Sequence, residues 1–182
     1  YKADASTGAA TTGDPVNTWL DSSDNGFDAI QTGDPSLQEN QINFNPAVYY
    51  DGTADGHNSP AGSQVSGEYG FFGVAQMEGP LNRRVFSTLH TNALIGFWNN
   101  REDVVYNLGN PANHTTGPVA TTDPKLYTFT RDLSSTTVFR ESARQILTDA
   151  SSANPLLRFG IANGDAYSGE RSRVYVPEMI IY

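Results

Sequence analysis

The chain has 182 residues and no cysteine. That is enough for one large domain burying roughly 70% of its extended surface, and it excludes a disulfide framework, cysteine-zinc clusters and thiol catalysis. The formal charge of −9, from 20 acidic and 11 basic residues, argues against nucleic acid or an anionic membrane as the main partner, because both need a basic face.

No apolar run approaches the roughly 20 residues that span a bilayer. Only Lys2 and Lys125 are lysines, and the other basic residues are arginines, which suit fixed, hydrogen-bonded sites. Abundant Gly, Asn, Ser, Thr, Asp and Pro predict many turns between short strands, hence an all-β extracellular module. With no signal peptide and a first residue Tyr1, the chain reads as cut from a larger protein.

In chain order, Tyr1 to Asp4 predicts a first strand, then a small-residue loop to Asp14 that Pro15 ends. Within VNTWLDSSDNGFDA, Val16, Trp19 and Leu20 read as core anchors and Asp21 to Gly26 as a polar turn. Ile30 to Asn45 has turn signals at Gly33-Asp34-Pro35 and no sustained period, which predicts an irregular packed loop. Ala47 to Asp51 predicts a strand closed by an Asp-Gly turn. Thr53 to Ser66 is rich in breakers and predicts a mobile loop, with His57, like His114, a plain loop histidine.

Glu68 to Gln76 and Arg83 to His90 predict strands; Val85, Ser87 and Leu89 alternate with Phe86, Thr88 and His90, the period of a sheet. Ala93 to Asn99 and Val104 to Asn107 predict a hairpin across Asn100 to Asp103, followed by a loop from Leu108 to Asp123. Lys125 to Asp132 alternates again. Thr136 to Glu141 and Gln145 to Leu147 predict a second hairpin, and Glu141 to Ala150 is the one stretch with a helical alternative.

Leu156 to Ala162 predicts a strand and Asn163 to Arg171 a loop. The closing run Arg173 to Tyr182, RVYVPEMIIY, has the strongest strand character and predicts a central strand docked on Tyr1 to Asp4, with a bulge or edge at Pro177. So many short strands predict two stacked antiparallel sheets spanning 1–182 as a single domain.

Three passages, YKADASTG, VNTWLDSSDNGFDA and INFNPAVYYDG, resemble the opening of bacterial laminin-G-like modules, and LLRFGIANGDAYSG with VPEMIIY is similar to their closing strand pair. The middle, Thr53 to Ser135, shares only texture. The resemblance implies a concanavalin A-like jelly-roll sandwich with its termini side by side, as found in secreted or cell-surface adhesins and glycan-handling proteins. Fold analogy leaves function open.

Glycoside hydrolysis needs two carboxylates across a cleft, but Glu68, Glu78, Glu102, Glu141, Glu170 and Glu178 are scattered singly. No nucleophile-elbow signature accompanies His57, His90 or His114. Calcium prefers hard oxygens: Asp51, Asp55 and Asn58 in DGTADGHN are candidate ligands of one structural ion, and Asp21, Asp24, Asn25 and Asp28 form a second acidic loop. The alternative is that these side chains cap turns. Glu178, in an apolar strand, is expected to be exposed or paired with Arg173 or Arg158.

Sugar recognition asks for aromatic platforms beside planar polar groups. FWNNRED supplies Trp98, Asn99, Asn100, Arg101 and Asp103; Tyr106 follows, and Arg84 and His90 precede. Trp98, Asn99, Asn100, Arg101, His90 and Tyr106 are the candidate ligand site, against the alternative of Trp98 in the core, where Trp19 is expected. Asn113-His114-Thr115 is a glycosylation sequon. The sequence thus predicts a non-catalytic extracellular recognition module binding a glycan or cell-surface ligand, beside neighbouring domains of a longer chain. A ligand-free spacer and a hydrolase are the other two classes.

Overall fold

The computed structural model describes residues 1–4, 6–78, 83–89, 93–107, 110–113, 115–134, 136–149, 159–161 and 170–182. Its strands are β1 (Thr18–Trp19), β2 (Ala29–Thr32), β3 (Ser36–Ile42), β4 (Asn45–Asp51), β5 (Gly56–Asn58), β6 (Tyr69–Met77), β7 (Phe86–Thr88) and β8 (Ala93–Trp98). They continue with β9 (Arg101–Asn107), β10 (Asn110–Ala112), β11 (Lys125–Arg131), β12 (Thr137–Glu141), β13 (Arg144–Asp149), β14 (Phe159–Ile161) and β15 (Arg173–Ile181). Two antiparallel sheets form a sandwich, ordered β1-β2-β5-β14-β7-β8-β9-β10 and β13-β12-β11-β6-β15-β4-β3. The two-sheet antiparallel sandwich expected from the sequence is the fold.

β15 lies at the centre of the seven-stranded sheet, between β6 and β4. Pairing with β4 runs from Arg173 to Val176 and stops there. The next residue is Pro177, which has no N–H to give a ladder. The register with β6 slips over the same interval, between Tyr175 and Glu178. The place that β4 vacates is taken by the head of the chain: Ala3 N–H donates to Pro177 O (2.9 Å), Met179 N–H donates to Tyr1 O (3.1 Å), and Lys2 bridges to Glu178. Head and tail therefore pair as predicted, through a short bridge.

The core between the sheets follows from period-2 alternation. β6 turns Tyr69, Phe71, Ala75 and Met77 inward, β11 turns Tyr127 and Phe129, and β15 turns Val174, Val176 and Met179. Phe71 stacks on Phe129 (4.8 Å, 16°) and meets Phe86 of the opposite sheet edge-on (5.1 Å, 65°). Gly73 makes room for that crossing, since a Cβ there would strike the Phe86 and Phe71 rings.

Several expectations are corrected. Residues 30–45 are not an irregular loop: they form most of β2 and all of β3, whose polar SLQENQI run is an edge strand with a bulge between Gln38 and Ile42 and so lacks a clean period. Thr53 to Ser66 is not a mere loop; it contains β5 and a 3-10 turn, Ala61–Ser63. Leu108 to Asp123 contains β10. In its described part the Glu141 to Ala150 stretch is the end of β12, a two-residue turn and β13, with no helix. Leu20 points outward, 44% exposed, while Val16 and Trp19 are fully buried.

His57 is a core residue, not a loop histidine, because β5 runs between β2 and β14 and turns it inward. Its Nε2 faces the Val16 carbonyl (3.0 Å), which can only accept, so Nε2 carries the proton and Nδ1 accepts from the Tyr50 hydroxyl (2.9 Å). Trp19 packs edge-on against the ring (5.8 Å).

Burial lowers the His57 pKa from 6.5 to about 4, against the smaller pull of the Val16 carbonyl. The unfolded chain then binds one more proton between these pH values, so stability is lost as pH falls through that window and the loss levels off below it. Urea unfolding is expected to show roughly 3 kcal/mol lost from this group between pH 6.5 and 4, at 1.36 kcal/mol per pKa unit. His57→Gln should flatten that part of the pH profile.

Candidate functional site

The β8–β9 hairpin carries most of the predicted ligand residues. Trp98 pairs with Arg101, and Asn99-Asn100 make a two-residue turn with φ of 50° and 63°, the left-handed pair that a type I′ turn requires. The turn is thus shorter than the expected Asn100 to Asp103. Trp98 is half-buried, with the Arg84 guanidinium 5.7 Å from its ring centroid, and Arg84 is ion-paired with Glu170. Arg101 donates to the Gly117 carbonyl (2.8 Å). Trp98 is neither a core side chain nor an open platform. Tyr106 pairs with Leu94, roughly 13 Å of strand away from Trp98. The structure brings Trp98, Asn99, Asn100 and Arg101 together and leaves Tyr106 apart; His90 lies outside the described residues.

Asp103 is not part of that exposed cluster. A bulge between Gly96 and Phe97 leaves it as the extra residue of β9, with φ of 61°, and turns both acids of the Glu102-Asp103 pair inward. Glu102 accepts from Lys125 Nζ (2.9 Å) and from Thr121, while Asp103 meets Arg144 and the Tyr127 hydroxyl, so the two carboxylates fasten β9 to β11 and β13 across the sandwich. Burial pushes both carboxyls up; the Lys125 and Thr121 hydrogen bonds outweigh it for Glu102, which ends below its usual range, and Asp103 stays raised despite Arg144. Asn113 of the sequon donates its amide to Asp103 O (3.0 Å).

The predicted metal-ligating residues divide. Asp55 is buried, its Oδ1 accepting from Asp34 N–H (2.8 Å) and its Oδ2 from Asp51 N–H (3.0 Å). A side chain at Gly33, which has φ of 68°, would collide with that Oδ1. Asp51 Oδ1 caps the turn through Thr53 and Ala54 N–H, and Asn58 sits on β5. A calcium ion here would have to compete with backbone amides for the same oxygens. The second acidic loop is held likewise: Asp21 accepts from Ser23 and Phe27, and Asp28 from Asp21 N–H. Among the described residues, no three His, Cys, Asp or Glu side chains gather as a metal site.

A different surface has the geometry of a binding face, and sequence reasoning missed it. On the outer side of the seven-stranded sheet, Tyr49, Tyr175 and Gln76 form one cross-strand row over β4, β15 and β6. The tyrosine rings lie 5.0 Å apart, tilted by 35°. Both hydroxyls donate to Glu78, Tyr49 to Oε2 (2.9 Å) and Tyr175 to Oε1 (3.1 Å), and Arg173 closes on the same carboxylate (3.2 Å). Burial, then the Glu78 carboxylate, raises the Tyr175 pKa to about 12, so its proton stays on.

Gln76 joins the Gln41 amide (3.4 Å) on one side and the Thr122 carbonyl (3.0 Å) on the other. A flat sheet would hold β3 and β6 about 14 Å apart. The Gln41 and Gln76 side chains thus meet over β4 and β15, the strands between them. The signal available in sequence was the alternation Tyr49, Asp51 and Arg173, Tyr175, which marks one polar-aromatic side of two strands.

Along the same face, where β4 parts from β15, lies a cavity of about 330 Å³ floored by Val74 and Pro177 and edged by Asn43, Asn45 and Glu178. Glu178 pairs with Lys2 (3.7 Å), while Arg173 pairs with Glu78; Arg158, the other expected partner, lies outside the described residues. The β3–β4 turn beside it is Asn43-Phe44, with φ of 49° and 65°. Phe44 is 89% exposed, and a left-handed backbone on a non-glycine residue costs about 1–2 kcal/mol.

No family model matches the chain, and no curated protein matches it. Solved structures match its fold at low identity. The binding domain of Paraclostridial Mosquitocidal Protein 1 aligns at TM-score 0.64 and 6% identity, over 94% of this chain and 48% of that one. The Trypanosoma rangeli sialidase in complex with the inhibitor DANA aligns at 0.61 and 10%, over 97% and 29%. The botulinum neurotoxin serotype D ligand-binding domain in complex with N-acetylneuraminic acid aligns at 0.52 and 11%, over 92% and 47%. The chain thus spans under half the length of each, and the likeness establishes a β-sandwich.

Asp55→Ala leaves the Asp34 and Asp51 amides without their acceptor, and urea unfolding is expected to lose about 1–3 kcal/mol. Chelating divalent cations tests the Asp51, Asp55 and Asn58 site: an ion held there by the folded state raises the melting midpoint, and its removal lowers it.

Proposed function

We propose that the chain is a non-catalytic carbohydrate-recognition module, extracellular and carried within a larger surface protein of the laminin-G-like kind, and that it holds glycan on the outer face of the seven-stranded sheet. The observation that carries this reading is the Tyr49–Tyr175 pair, whose two hydroxyls are pinned on Glu78 beside Arg173. Sugar binding needs apolar ring surface for C–H faces and planar polar groups at fixed positions for hydroxyls. Here the rings, the Gln76 and Gln41 amides, the Glu78 carboxylate and the Arg173 guanidinium stand on paired strands, where little ordering remains to be done on binding.

The toxin domain solved with N-acetylneuraminic acid lends a glycan ligand further support. The hydrolase alternative has less: of the two glutamates on this face, Glu78 is taken up by Tyr49, Tyr175 and Arg173, and Glu178 by Lys2. The spacer alternative would leave the tyrosine row without a ligand.

Calorimetric titration with a panel of oligosaccharides tests the reading. Binding is expected, with Tyr175→Ala weakening it about tenfold at a temperature where the variant is still folded, one decade being 1.4 kcal/mol. No heat from any sugar at millimolar concentration would leave the spacer reading in its place.

A further inference from the structure

Two hairpins of this fold close with the same two-residue turn, and they fill it differently. β8–β9 uses Asn99-Asn100, and asparagine is among the few residues that tolerate a left-handed backbone. β3–β4 uses Asn43-Phe44. A phenylalanine there is disfavoured by its backbone and again by water, since its side chain is 89% exposed and its ring is not used by the core. Strain of this kind persists where a local role maintains it. Phe44 is not part of the lining of the 330 Å³ cavity at the fork between β4 and β15, but it stands in the chain between Asn43 and Asn45, both of which are.

We propose that Phe44 is the fingertip of a sugar subsite at that fork, and that the subsite takes an uncharged hexose. The ring packs on the sugar's C–H face, while Asn43, Asn45 and the Glu178 carboxylate meet its hydroxyls. The inference rests on the glycan reading and names the ligand class. The charged groups of the cavity are Lys2, Asp4 and Glu178, with Lys2 already bridged to Glu178 (3.7 Å), in a chain of net charge −9. A carboxylated sugar would meet a negative field there and an uncharged one would not. Val74, on the cavity floor, is two residues from Gln76 in the tyrosine row, about 7 Å along β6, so a di- or trisaccharide reaches both places.

Phe44→Gly in the full chain tests this, because glycine accepts the turn's backbone freely. Titrations use lactose, cellotriose, maltotriose and mannotriose, with sialyllactose as the charged counterpart of lactose. The expected result is a melting midpoint equal to or above the parent's, binding of the best neutral sugar weakened about fivefold or more, and sialyllactose bound less well than lactose at low salt. Unchanged affinity in Phe44→Gly, a lowered midpoint, or preference for sialyllactose would overturn the subsite. If Tyr175→Ala weakens binding while Phe44→Gly does not, the subsite alone is lost; if the parent protein binds none of these sugars, the glycan reading falls and the subsite with it.

Discussion

Strand β15 must satisfy its backbone on both sides, and Pro177 removes one donor from the middle of it. A central strand with a missing N–H would ordinarily leave its neighbour's carbonyl orphaned. Here β4 turns away after Val176, and the head segment enters to use what Pro177 still offers, its carbonyl. β15 thus has β6 along one side and, along the other, β4 followed by the head segment. Everything described on its outer face, the tyrosine row above the proline and the cavity beside it, is laid out by that change of partner.

The opposite face of the sheet is held by different physics. Phe71, Phe129 and Phe86 make a dry contact in which ring geometry matters as much as area. Toward the β9 edge the contact becomes polar: Glu102 and Asp103, aimed inward by one bulge, meet Lys125 and Arg144, and Asn107 meets Asp149 (2.7 Å). Buried ion pairs contribute modestly to stability but strongly disfavour misregister, because a slipped strand would leave each charge uncompensated.

Strand character along β11 could be read from alternation, since it has one face on the core, and along β15 from its run of valine, isoleucine and tyrosine, where Pro177 announced its own bulge. β3 could not, because an edge strand with polar residues on both sides and a bulge has no period to detect, and β2, at four residues, is too short to show one. Chemistry was harder to read than fold. The FWNNRED string looked like a cluster, yet the bulge sends Glu102 and Asp103 into the sandwich while Trp98 is covered by Arg84. The tyrosine row draws Tyr49, Gln76, Glu78 and Tyr175 from strands far apart in the chain, so no local pattern could have joined them. His57 misled for a related reason: a three-residue strand among glycines and prolines is indistinguishable from a loop until its neighbours are known.

The pairing of residues 1–3 with residues 177–179 has a temporal side as well. The partners of β15 come from the first few residues, from 45–51 and from 69–77, so its ladder closes loops of roughly a hundred residues and more, each with its own entropic penalty. During synthesis the greater part of both sheets emerges before the strand that completes one of them, and the edges of β4 and β6 stand open in the meantime. Until β15 takes them up, the backbone N–H and C=O groups along those edges are a template on which another chain could pair.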